Sequence, residues 1–89
     1  MAKVPNPELR RVLMEIVNNQ LRDGEPPETR ATLDRLLAQG IDREQALEFI
    51  ACVVTSEVFD VLKSGQPYDE ARYLAGLRAL PQLPWEDGE

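Results

Sequence analysis

The sequence predicts an all-α fold, a small four-helix bundle with a short, partly disordered acidic C-terminal tail. Apolar residues recur every three or four positions in four separate stretches. Residues that start or stop helices flank these stretches: Asn, Asp or Pro before, Gly or Pro after. None of the stretches keeps the two-residue alternation of a half-buried strand. With 89 residues, one domain over 1–89 is expected, with helices at about 7–22, 28–39, 43–63 and 70–80 and a tail over 81–89.

The first helix opens at Asn6-Pro7-Glu8. Asn caps, Pro suits the first helical position, and Glu sits favourably at the positive end of the dipole. Leu9, Val12, Leu13, Ile16 and Val17 form its apolar face, and Asp23-Gly24 ends it. After the loop GEPP, a second helix starts near Pro27 or Glu28, or with Thr29 as cap, and carries Leu33, Leu36 and Leu37. Gly40 closes it in the left-handed conformation. In the third helix Asp42 caps, Gln45 completes a capping box, and Ile41 and Ala46 are placed as a hydrophobic staple. It runs to about Lys63 and stops at Ser64-Gly65. Asp69 caps the fourth, whose apolar side is Tyr73, Leu74, Leu77 and Leu80, and Pro81 stops it.

The third helix is the unusual one. At about 100° per residue, Ala46, Leu47, Ile50, Ala51, Val53, Val54, Val58, Val61 and Leu62 fill one half of its wheel. Phe49, Cys52 and Phe59 form a second apolar patch. A helix of this kind is mostly buried, against three neighbours or in a dimer interface. Glu44, Glu48 and Thr55 make a narrow polar stripe between the two patches. Glu57 falls inside the apolar half, and its expected solution is a side chain that snorkels out at a helix edge. The alternative is a buried carboxylate, which must be paired, hydrogen-bonded or protonated. Gln20 lies at the centre of the first helix's apolar arc, and Arg10 lies between Val17 and Leu21. Arg10 can reach water along its apolar stem, or reach a carboxylate of the third helix as a bidentate pair. Arg10, Glu44, Glu48 and Glu57 are thus the candidate polar cluster.

Composition excludes more than it assigns. Sixteen Asp and Glu stand against ten Lys and Arg, a net charge of −6, and the basic residues are scattered. Nucleic acid and anionic membrane surfaces are disfavoured as partners. No apolar run has the length of a membrane span, and the N-terminal residues lack the apolar core of a signal peptide. The single cysteine fits a reducing cytoplasm. With no histidine, neither a Ser-His-Asp nor a Cys-His site can be built, and no His-ligated zinc site either. Phosphate-cradling glycine loops are missing too.

The chain resembles a family of short, uncharacterised bacterial proteins grouped as a domain of unknown function. The matching features are Asn6-Pro7, Asn19-Gln20, Pro26-Pro27, Leu36-Leu37 with Gly40, Asp42-Arg43 with Ala46, Glu57, Gly65, Pro67 and Asp69 to Tyr73. They span Asn6 to about Leu80, and none is chemically specific. The resemblance implies histidines four residues apart on the first and third helices, which would suggest a metal site in the bundle core. Those positions are Arg10 and Met14, and Glu44 and Glu48, in this chain. Arg10 cannot ligate a metal, so an Arg10–Glu48 ion pair is the expected replacement.

The expected function is that of a protein–protein interaction or structural module, with another protein or a second copy as partner. It is not expected to be an enzyme, and no cofactor or metal is expected. The alternative is a carboxylate-based metal-binding protein on Glu44, Glu48, Glu57 and Asp60, or a metal-free degenerate member of a metal-binding family. Cys52 reads as an inert buried thiol rather than a reactive one. Leu83 and Trp85 are expected to fold back on the core, the alternative being a motif that docks Trp85 into a partner. Asp87 to Glu89 are expected to be disordered.

Overall fold

Four helices, α1 (Pro7–Asp23), α2 (Pro27–Ala38), α3 (Arg43–Ser64) and α4 (Glu70–Ala79), build the protein in a computed structural model that describes residues 7–83. Every described boundary falls within one residue of its expected position. Asn6, Trp85 and Asp87 to Glu89 lie outside the described residues, and with them the Asn6 cap, the docking of Trp85 and the character of the last residues.

Local chemistry accounts for the boundaries. The Asp42 carboxylate accepts the Gln45 N–H at 2.8 Å and the Asp69 carboxylate accepts the Arg72 N–H at 3.2 Å, each satisfying a donor that the first turn leaves open. At the end of α2, the Gly40 N–H returns to the Leu37 carbonyl and the Ile41 N–H to the Leu36 carbonyl. This is a Schellman closure, and it requires the positive φ of Gly40, 89°. Gly65 ends α3 in the same region, at φ 72°. Thr29, offered as a possible cap, is not one. It sits inside α2, fully buried, and α2 starts with Pro27 at its first position and no side-chain cap.

Packing places α2 and α3 in the middle. α1 packs on both, α4 packs on both, and the backbones of α1 and α4 stay apart, meeting through the Gln20 and Tyr73 side chains. Directions follow from named contacts. Arg10 meets Glu48 near the starts of α1 and α3, whereas Gln20 shares a groove with Val54 and Glu57 further along both. These two helices therefore advance in the same sense. Glu57 meets Arg72 and Val53 meets Gly76, so α4 runs back along α3. The core is Leu13, Val17 and Leu21 of α1, Leu33 and Leu36 of α2, Ala46 to Val54 of α3 apart from Glu48 and Phe49, Tyr73 and Leu77 of α4, and Leu80 just past its end. Burial of this apolar surface is the main stabilising term.

Two details tighten α4. A Cβ on Gly76 would lie 2.8 Å from Cγ1 of the buried Val53, so the missing side chain is what lets α4 approach α3. In the next turn, at its C-terminal end, Arg35 of α2 donates to the Leu77 carbonyl at 2.9 Å and the Leu80 carbonyl at 2.8 Å. A cation thereby meets acceptors at the negative end of the helix dipole. Just beyond, Leu83 folds back and is buried, as expected for it.

Candidate functional site

The four candidate residues separate into two places. Arg10, on the second helical turn from the start of α1, faces the first turns of α3. Its Nε donates to Glu48 Oε2 at 2.7 Å, an Nη nitrogen reaches the same oxygen, and Glu44 Oε2 lies 3.7 Å away. Both short contacts fall on one carboxylate oxygen, so the pair is not the two-oxygen fork that the sequence suggested. Glu48 is more enclosed than a wet polar stripe allows, at 9% exposure, while Glu44 is open. A pair of this kind is weak evidence for stability, because desolvation offsets its attraction. Its clearer effect is to fix how α1 lies along α3.

Glu57 does not belong to that cluster. It lies nine residues further along α3, about 13 Å by helical rise. Nor does it snorkel out: it is 6% exposed, inside the apolar face. Arg72 resolves the conflict. Its Nε reaches Glu57 Oε2 at 3.0 Å and Oε1 at 3.2 Å, with Asp60 Oδ2 at 3.7 Å. Hydrogen bonding to Glu57 in turn strengthens the hold of the Arg72 guanidinium on its proton. The signal was present in the sequence. A short turn between α3 and α4 makes a hairpin, which brings the first turn of α4 back alongside the last third of α3.

Gln20 forms a third polar centre that the sequence flagged without explaining. Its Oε1 accepts the Thr29 hydroxyl and the Tyr73 hydroxyl, both at 2.8 Å. Thr29 and Tyr73 are buried, so each donor needs this acceptor. Burial pushes the Tyr73 hydroxyl above its ordinary pKa, while its bonds to Thr29 and Gln20 act the other way. One amide oxygen thus ties α1, α2 and α4 together above the core.

Above this centre lies a mostly apolar groove of about 290 Å³. Its floor is the α3 stripe Val54, Val58, Val61 and Leu62, with Gln20 on the α1 side and Tyr68 and Tyr73 on the α4 side. It opens where α1 and α4 leave α3 uncovered. Of its lining residues, Leu62 is 74% exposed and Val58 and Tyr68 are exposed as well, and Phe59, outside the lining but next to Val58 on α3, is 62% exposed. This corrects the wheel, which counted Val58, Phe59 and Leu62 with the buried faces. α3 is five residues longer than α1, and none of its residues beyond Glu57 is buried.

Cys52 is fully buried, and its thiol is pushed up to about 11, first by burial and then by the nearby Glu48 carboxylate. The nucleophilic thiolate is therefore scarce at neutral pH. The unfolded chain releases this proton near pH 9, before the native one does. The contribution to stability is whole below about pH 9 and falls as pH rises towards about 11. Urea unfolding of the wild type should thus lose more stability across that window than unfolding of Cys52→Val. Equal losses would show that Cys52 is not the group responsible.

Among the described residues, no group of three or more carboxylate or thiol side chains converges on a point where a metal could sit. Glu44 and Glu48 face a guanidinium instead. No described helix is long and apolar enough to cross a membrane. Compared with protein-family models, curated proteins and solved structures, the chain matches none. Its function has to be read from its own surface.

Proposed function

We propose that the protein is an interaction module that binds another protein chain through the end of α3. The observation that carries this reading is the exposure of Phe59 and Leu62 beside an apolar groove. In a chain of this size, every large apolar residue left in water forfeits stabilisation the small core could use. Scattered single residues would need no explanation, but Val58, Leu62 and Tyr68 line one groove and Phe59 stands next to Val58 and about a turn from Leu62 on α3, and such groups mark binding surfaces. The rest of the chain supports a scaffold role, since its polar centres are occupied in holding helices together.

The test is a Phe59→Gln/Leu62→Gln double variant. Its unfolding free energy should stay within about 0.5 kcal/mol of wild type, because neither side chain is buried. Self-association, read by light scattering, or retention of partners from a lysate should be lost with it. The reading fails if wild type and variant are equally monomeric and retain the same proteins.

A further inference from the structure

We infer that the groove takes an amphipathic, basic helix of another protein, with apolar side chains at helical spacing and Lys or Arg beside them; this rests on the interaction reading above. The floor is a helix-packing stripe: Val54, Val58, Val61 and Leu62 stand at i, i+4, i+7 and i+8 on α3. It lies between α1 and α4, where a further helix would complete the cover of α3, and helix-in-groove recognition uses this geometry.

Charge selects the occupant. Residues 57–72 carry four carboxylates, Glu57, Asp60, Asp69 and Glu70, and two cations, Lys63 and Arg72. Arg72 is committed to Glu57 and Asp60. Asp69 and Glu70 stand exposed beside Tyr68, just outside the groove's lining, with Asp69 also capping α4. At the end of α1, Arg22 and Asp23 pair with each other at 3.3 Å and offset one another. The lining itself holds one carboxylate, the paired Glu57, and the rim around it carries more carboxylates than cations beside an apolar floor, in a chain whose net charge is −6. A second copy would bring the same acids against themselves, and like charges apposed across an interface are costly.

The probe is a synthetic helix of Leu and Lys, with Leu at i, i+3, i+4 and i+7, set against the same peptide with Glu in place of Lys. Anisotropy titrations use the full chain. The Lys peptide should bind at least about ten-fold more tightly than the Glu peptide. Val58→Gln/Leu62→Gln should weaken it by about ten-fold or more with the fold intact by circular dichroism. Glu70→Lys should narrow the gap between the peptides. Equal binding of both peptides overturns the inference, as does binding that ignores Val58→Gln/Leu62→Gln. A wild-type dimer that the same variant makes monomeric also overturns it, assigns the groove to a second copy, and leaves the broader interaction reading standing. A monomer that binds neither peptide overturns it too, and lysate retention that still depends on Phe59 and Leu62 would then show that only the basic-helix assignment was wrong.

Discussion

Gln20→Leu should cost the protein about 2–4 kcal/mol, because two buried hydroxyl donors lose their acceptor in one step. The Gln20 oxygen is the acceptor for Thr29, which is fully buried, and for Tyr73, which is nearly so. The leucine fills the space with apolar atoms and offers neither donor a partner. The triple variant Gln20→Leu/Thr29→Val/Tyr73→Phe should recover most of the loss, since replacing all partners by apolar groups of similar shape removes the unmet demand. Urea unfolding of the single, double and triple variants closes the cycle. A loss below about 0.5 kcal/mol for Gln20→Leu would mean that water supplies both hydroxyls at little cost.

Gly76→Ala is the second large effect, and its sign runs against helix propensity. Alanine favours a helix interior by about 1 kcal/mol over glycine. Here the added methyl meets Val53 Cγ1 at 2.8 Å, and a buried β-branched side chain cannot swing away freely. Overpacking costs about 1–3 kcal/mol, so the propensity gain is cancelled or outweighed and the variant should be less stable by up to about 2 kcal/mol net. In a Val53→Ala background the same substitution should be neutral or stabilising, because the obstructing methyl is gone. Stabilisation by Gly76→Ala in the wild-type background would show that α4 shifts off α3 without loss.

The order and limits of the helices were legible because they depend on local chemistry. Asp42 and Asp69 cap within three residues, and Gly40 and Gly65 close a turn on the residues just before them. The buried part of α3 was legible too, from Ala46 to Val54, as a matter of angle. What angle cannot supply is position along the axis. Val58 and Leu62 share the side of α3 that holds Ile50 and Val54, yet both are exposed, because no neighbouring helix lies over them there. Partners far apart in sequence were illegible for a related reason. Gln20 and Tyr73 are separated by 53 residues, and Arg35 reaches carbonyls 42 and 45 residues away. Only the assembled bundle brings them together. Arg10 and Glu48 were legible as a possibility, because two oddities on adjacent helices each needed the other.

The unequal lengths of α1 and α3 also shape the energy of local unfolding. A helix of 22 residues is about 33 Å long and one of 17 about 25 Å, so the last residues of α3 run past the first helix into water. Past Glu57 they are held by their own backbone bonds, the Gly65 closure and the hydroxyl of Ser64 on the Asp60 carbonyl. Val58 and Val61 are weak helix formers, so this segment can open without disturbing the core. Amide hydrogens there should exchange with solvent ahead of those between Ala46 and Val54. Any partner that settles on the segment must then supply the entropy of holding it helical, and substitutions that favour the helix at exposed positions would tighten binding without touching the partner.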